Sequence, residues 1–262
     1  MSFWFSDQAR LMALVVGCGA LWTLESFMPL YVYEKRRVRR ALPNIALTAM
    51  VVLTNLLLSF GIATLASFIQ QKRLGLFYLS NLSTWLLGVL GVVALDLFTW
   101  CAHVLMHKSW WGWQFHRVHH SDTEVNVTTA FRQHPGETVW RVVWYALAIA
   151  VFGIPMWVVI IYLVASTLNA QFEHTNIKLT DSVDGPLRLL FVTPNMHKVH
   201  HSREQRQTDT NYANIFSLWD QMFGTYTATT DFRSLRYGLD GFDDAQRQTL
   251  TALLRTPFVS SS

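Results

Sequence analysis

Residues 41–69 read ALPNIALTAMVVLTNLLLSFGIATLASFI, 29 positions without one charged side chain. A helix crosses a hydrocarbon core of about 30 Å in about 20 residues, so this stretch predicts a membrane-spanning helix. On either side of it, Leu11 to Tyr33 is 23 residues with Glu25 as its single charge, and Leu74 to Leu95 is 22 residues with none. No small-residue cleavage pattern follows the first run, so it reads as a retained span and not as a signal peptide. Three spans, at about 11–33, 41–69 and 74–106, therefore precede the rest of the chain. Composition agrees: 51% of the 262 residues are hydrophobic and 15% charged, against about a quarter charged in soluble domains. Disorder is excluded on the same grounds.

The charge pattern orients these helices. The net charge is only +4, but Lys35, Arg36, Arg37, Arg39 and Arg40 sit together between the first two apolar runs. Such a block marks a cytoplasmic junction, and it outweighs Lys72 and Arg73 after the second run. The N-terminus is then outside, and the third span returns to the cytoplasm. No basic face suited to nucleic acid emerges. Cys18 and Cys101 both lie in apolar runs, which does not support a disulfide framework.

A fourth apolar stretch, Val142 to Phe172, has 31 residues and no charge, broken by Gly153, Ile154 and Pro155. Proline interrupts a helix interior, and two arms of about 14 residues reach only about 21 Å. The expectation is a shallow helical hairpin over about 139–172 that enters and leaves on the cytoplasmic face. From Arg203 the chain turns polar. In the tail, 227–262, Leu250, Leu253, Leu254 and Phe258 follow a helical spacing, suited to packing on the cytoplasmic domain or on the membrane surface. The whole, 1–262, reads as a single all-α integral membrane domain, with no segment of a size for a fused electron-transfer domain.

All ten histidines fall between His103 and His201. His103 and His107 form HxxxH; His116, His119 and His120 form HxxHH; His197, His200 and His201 form a second HxxHH. Spacings of three and four place side chains on one helical face, and neutral imidazole is a good ligand for first-row metals. One isolated histidine would more readily be a core residue, but three such groups with no histidine elsewhere are not explained that way. Eight donors exceed the six or so that one ion takes, and with His134 and His174 the ten suit two ions. The predicted architecture is thus three transmembrane helices plus the hairpin, with a cytoplasmic helical region, 103–134 and 174–226, around a dimetal site.

These residues carry a resemblance. DLFTWCAHVLMH (96–107), FHRVHHS (115–121), NVTTAFRQHPGE (126–137), FEHTN (172–176), TPNMHKVHHSR (193–203) and WDQMFGTY (219–226) together resemble the fatty acid hydroxylase and sterol desaturase superfamily of membrane-bound non-haem di-iron oxygenases. The likeness covers about half the chain, from Asp96 to Tyr226. It implies two iron ions held by histidine at the cytoplasmic face, O₂ as co-substrate, a lipid substrate, and electrons from a separate ferredoxin, cytochrome or reductase. One departure stands out: where some relatives have two histidines this chain has only His174, with Ala170 four residues earlier, and His134 is the candidate to complete the set.

Spacing nominates supporting residues. Asp96 precedes His103 by two helical turns and could orient an imidazole; Glu137, Asn126, Asn176, Asn195 and Asp220 are weaker candidates. Glu25, an ionisable residue inside a span, is a functional suspect by default. Trp110, Trp111, Trp113 and Phe115 read as an interfacial belt where a lipid tail could enter. Lipid hydroxylation is the leading reading, with desaturation or methyl oxidation at the same site as the alternative. A zinc hydrolase would need about three protein ligands and an open position, far fewer than are present. A metal transporter should carry ligands in mid-span, and bis-histidine haem leaves the adjacent pairs unexplained. No motif selects among sterols, acyl chains, ether lipids and carotenoids. A bacterial inner membrane is the preferred location, with endoplasmic reticulum as the alternative.

Overall fold

The computed structural model describes residues 2–32, 37–229 and 231–259, which contain helices and no strand. Of the basic block, Lys35 and Arg36 lie outside the described residues, as does the Tyr33 end of the first apolar run. Six helices build the body: α1 (Ser2–Phe27), α2 (Arg37–Lys72), α3 (Thr84–Lys108), α4 (Trp110–His120), α5 (Pro135–Phe152) and α6 (Met156–His174). Two short helices, α7 (Asp181–Leu187) and α8 (Pro194–His200), follow.

Among the described residues, three segments are long and apolar enough to cross a membrane: Arg37–Leu79, Thr84–Lys108 and Met156–His174. Two were expected, and the third is the return arm of the hairpin. The apolar part of α1, Leu11–Phe27, is shorter than expected, because the helix stops just before Pro29. The third span also starts later than expected. Residues 74–83 form a 3₁₀ turn, Leu76–Leu79, and an extended link, since Gly75 takes a left-handed φ of 103° that few other residues adopt.

The hairpin forms where the Gly153–Pro155 break lies. Gly153 caps α5 at φ 77°, and Pro155 opens α6. Its arms run 18 and 19 residues, or about 27 Å at 1.5 Å per residue, longer than the uncharged run suggests. The reason is that α5 begins at Pro135 and brings Glu137 and Arg141 inside as an i,i+4 pair, 2.7 Å apart. The tip is consequently not shallow relative to its neighbours. A Cβ on Gly153 would fall 2.4 Å from the Leu74 carbonyl, so the hairpin turn packs directly on the α2–α3 turn.

Helix α3 is the central element. A Cβ on Gly91 would lie 2.8 Å from the Val158 side chain, so a small residue there lets α3 approach α6 closely, as is usual between membrane helices. Leu95, Ile149, Val158 and Tyr162 fill the shared core. Leu53, Leu57 and Phe60 on α2 face outward, as a lipid-facing surface requires. The free ends of both hairpins, with α4 and α8, meet at the opposite end of the molecule from the two turns, and the histidines gather there.

Candidate metal centre

Local sequence explains how the imidazoles are presented. Ser109 caps α4 by accepting a bond from the Gly112 amide, which turns α4 back against the end of α3. Thr193 caps α8, and Pro194 takes the first helical position, where a missing N–H costs nothing. Asp184 of α7 accepts the Thr193 hydroxyl at 2.6 Å. Both HxxHH groups thus end short, capped helices whose imidazoles meet, with His119 and His201 ring centroids 4.6 Å apart.

Nine histidines fall into two groups. The ring nitrogens of His103, His107, His116, His120 and His200 lie within 4.8 Å of one another, as do those of His119, His174, His197 and His201. The groups adjoin: the His120 and His201 rings are stacked with centroids 4.8 Å apart. His134 joins neither group. It caps α5, its Nδ1 accepting a bond from the Gly136 amide at 3.0 Å, and its ring lies against Phe115.

The hydrogen bonds dictate which nitrogen is bare. Nδ1 of His103, His174 and His200 faces the carbonyls of Tyr212, Ala170 and Thr210 at 2.6, 2.6 and 2.7 Å. A carbonyl only accepts, so each Nδ1 carries the proton and each Nε2 presents a lone pair. Nδ1 of His107 pairs with Asp209 at 3.3 Å, which favours the same tautomer, and that of His116 lies 3.2 Å from Glu137 without a hydrogen bond. The Nε2 atoms nevertheless crowd together. His103 and His116 are separated by 2.9 Å, and His174 Nε2 stands 3.0 Å from each of His119, His197 and His201. One lone pair cannot accept three hydrogen bonds, and facing lone pairs repel. A cation removes both difficulties, since adjacent nitrogens bound at about 2.1 Å to one ion lie about 3.0 Å apart. The donor set therefore fits a pair of metal ions.

Burial keeps the imidazoles ready for this role. It holds His116, His119, His120, His197, His200 and His201 well below the usual imidazole range, and neighbouring imidazoles add to the effect. Neutral imidazole is the form that binds metal.

The supporting residues differ from those nominated by spacing. Glu137 touches an imidazole, that of His116. Asp96 touches none: it accepts bonds from Tyr162, the amides of Ile215 and Phe216, and Trp219. Its carboxylate anchors the 212–219 loop, and Asp220 holds the amides of Tyr212 and Ala213 in the same loop at 3.0 and 2.9 Å. Both acids thereby aim the Tyr212 carbonyl at His103. Asn126 caps the turn Val127–Phe131, Asn176 pairs with the backbone of Tyr31, and Asn195 pairs with that of Leu179. Glu25 accepts bonds from the amides of Val127 and Asn176 at 3.1 and 2.8 Å, so it ties α1 to the segment after His174 and does not enter the centre.

Several residues carried no advance signal. Lys198 is fully buried, and its ammonium donates to the carbonyls of Thr175 and Ile177 at 2.6 and 2.8 Å. Burial pushes its pKa down to about 7. Arg132 joins the Val118 carbonyl, Asn44 and Ser121, fastening the end of α4 to α2. Glu173, 3% exposed, lies 3.7 Å from His197 Nε2.

A cavity of about 360 Å³ reaches both groups through His103, His119, His174 and His197. It extends along Thr48, Asn55 and Leu56 of α2 and Leu11 and Leu14 of α1. Helix α1 packs on α6 and α2 on α5, and the exposed Leu11 and Leu56 mark where the cavity opens between α1 and α2. The expected entry beside the tryptophans is a separate space. Trp111 and Phe115 line a second cavity between α3, α4 and α5, while Trp113 packs on the His107 and His120 rings.

Residues 88–225, more than half of the chain, match the fatty acid hydroxylase family. The chain belongs to the fatty acid hydroxylase family. Its relatives include the alkylglycerol monooxygenase of Danio rerio, 36% identical over 157 residues, which are 60% of this chain and 33% of the relative. That of Caenorhabditis elegans is 33% identical over 144 residues, 55% of this chain and 28% of the relative. The ornithine lipid hydroxylase OlsE of Rhizobium tropici is 31% identical over 138 residues, 53% of this chain and 41% of the relative. The matched segments span less than half the length of these relatives. No solved structure matches. The matched region of this fatty acid hydroxylase family member contains all nine clustered histidines and the carbonyls that orient them.

Proposed function

We propose that the chain is an O₂-dependent lipid monooxygenase whose two histidine groups hold two iron ions. The observation that carries this reading is the convergence of bare Nε2 atoms in two adjoining groups on the wall of a cavity that opens between α1 and α2. The relatives named above are lipid monooxygenases or hydroxylases, which supports the same class.

When bound, the iron pair supplies the reduction of O₂ that lets one oxygen atom enter a C–H bond as hydroxyl while the other leaves as water. The chain's own residues do the positioning. Tyr212, Ala170 and Thr210 fix the imidazole tautomers through their carbonyls, and Glu137 and Asp209 stand behind His116 and His107. Leu14, Val51, Val52 and Leu56 offer an apolar lining to a lipid chain and keep water from the reacting carbon. Burial excludes water from the nine imidazoles as well. The substrate is a membrane lipid that enters between α1 and α2 with the carbon to be oxidised near His103 and His119. Electrons come from a separate ferredoxin, cytochrome or reductase.

Arg40 bonds to Thr123 and Glu124, close behind the second histidine group in sequence, so the basic block lies at the histidine end. The positive-inside rule then favours a cytoplasmic centre, in a bacterial inner membrane. The test is reaction of the iron-loaded protein with reductant, ¹⁸O₂ and a lipid extract. Label in a lipid hydroxyl is the expected result. New unsaturation without label would assign desaturation, and oxygen-independent hydrolysis with bound zinc would remove the oxygenase reading.

A further inference from the structure

We infer that Glu173 is a ligand of the ion held by His119, His174, His197 and His201, so that one carboxylate completes the smaller of the two donor groups. This rests on the two-metal reading above and deepens it.

Glu173 is 3% exposed, and a carboxylate so buried stays ionised only beside a positive partner. Among the described residues no Lys or Arg lies within ion-pair distance of it. Its neighbours within that range are His174 Nδ1 at 3.6 Å and His197 Nε2 at 3.7 Å, and its hydrogen bond comes from Asn169, a neutral amide, at 3.3 Å. The His174 Nδ1 proton is committed to the Ala170 carbonyl, and His197 Nε2 faces the crowded Nε2 atoms of His174 and His201. A cation among the four imidazoles supplies what the carboxylate lacks.

Glu137 and Asp209 lie against Nδ1 of His116 and His107, the outer nitrogens, where a carboxylate orients a ligand from behind. Glu173 lies 3.6 Å from the outer Nδ1 of His174 but also 3.7 Å from Nε2 of His197, the inner nitrogen, which is itself 3.0 Å from His174 Nε2 and 3.2 Å from His201 Nε2. With bonds of about 2.1 Å, donors on one ion are separated by about 3.0 Å when adjacent and about 4.2 Å when opposite. The observed 3.7 Å falls in that interval. One group has five imidazoles and the other four, and Glu173 lies outside the 4.8 Å set that the four nitrogens form. Drawn in by the ion, it gives each ion five protein donors, and only one of the two carries an anionic ligand. The two ions are therefore inequivalent.

The experiment uses the full chain in detergent, loaded with ferrous iron, and reads stoichiometry, affinity by chelator competition, and Mössbauer spectra. It compares wild type with Glu173→Gln and Glu173→Asp. Expected are two ions and two distinct doublets in wild type. In Glu173→Gln one ion is retained at wild-type affinity, the other binds at least about tenfold more weakly and its doublet changes, with Glu173→Asp intermediate. The retained ion reports that the variant is folded. Two ions of unchanged affinity and spectra in Glu173→Gln would overturn the inference while leaving the two-metal reading intact, and it would place Glu173 on the cavity wall only. Loss of both ions together would overturn the assignment to one group. Wild type that does not bind two ions would overturn both.

Discussion

The carbonyl of Tyr212 accepts the Nδ1 proton of His103 at 2.6 Å, so a loop 109 residues further along the chain decides which nitrogen of His103 is free. That loop is held in turn by Asp220, which accepts the amides of Tyr212 and Ala213, the Trp100 indole and the Thr225 hydroxyl. The centre is thus oriented by backbone that two buried acids, Asp96 and Asp220, keep in place.

Replacing Asp220 by Ala should therefore weaken metal binding by about 10- to 100-fold, the usual effect of losing a group that orients a ligand. Chelator competition on the purified variant checks this. Unchanged affinity in a folded variant would show that the Tyr212 carbonyl needs no such support.

Acid should destabilise the metal-free protein. Six imidazoles outside the spans are held well below their ordinary range by burial, those of His116, His119, His120, His197, His200 and His201. Their folded pKa values are depressed, so the stability they contribute is full above about 6.5, the unfolded value. It is lost as pH falls below that, because the unfolded chain takes up protons that the folded chain refuses. Asp220 and Glu137, raised by burial, act in the opposite sense but are two groups against six. The thermal midpoint of the metal-free protein should be lower at pH 5.5 than at pH 7.5. An equal or higher midpoint at pH 5.5 would contradict the neutral, buried state of these side chains.

Blocking the opening between α1 and α2 should affect substrate before metal. A Leu56→Trp substitution enlarges a side chain on the cavity wall that faces outward. Metal content and thermal midpoint should stay at wild-type levels while KM for a lipid substrate rises severalfold. Unchanged KM would mean that lipid reaches the centre by another route, with the Trp111 cavity as the next candidate.

The hairpin turn offers a test of the fold. Gly153 has φ 77°, and a Cβ there would lie 2.4 Å from the Leu74 carbonyl. Gly153→Val should cost at least about 1–2 kcal/mol from the left-handed backbone alone, with the clash in addition, and the loss should appear as a lower thermal midpoint. Wild-type stability would mean that the hairpin and the α2–α3 turn do not meet.

Much of this was legible in the sequence because helical spacing is a strong signal. The HxxxH and both HxxHH groups predicted shared faces, and their eight histidines all fall in the two clusters. His174 has no partner at that spacing, and the number of donors that two ions need nominated it. The same count offered His134, but the proline after it starts α5, and its ring turns to cap that helix. Asp96 shares the helix of His103, but a carboxylate finds the nearest free amides, and those of Ile215 and Phe216 come from a loop that spacing along α3 cannot reveal. Backbone carbonyls that orient imidazoles have no side-chain signature at all. The depth of the hairpin was hidden for a related reason: Glu137 and Arg141 look polar singly and are carried inward as a pair.

The central claim is that two ions sit in two separate groups of imidazoles. Anomalous diffraction at the iron edge from crystals of the iron-loaded protein measures this directly. Two peaks are expected, one among His103, His107, His116, His120 and His200 and the other among His119, His174, His197 and His201. A single peak, or peaks outside these groups, would contradict the account.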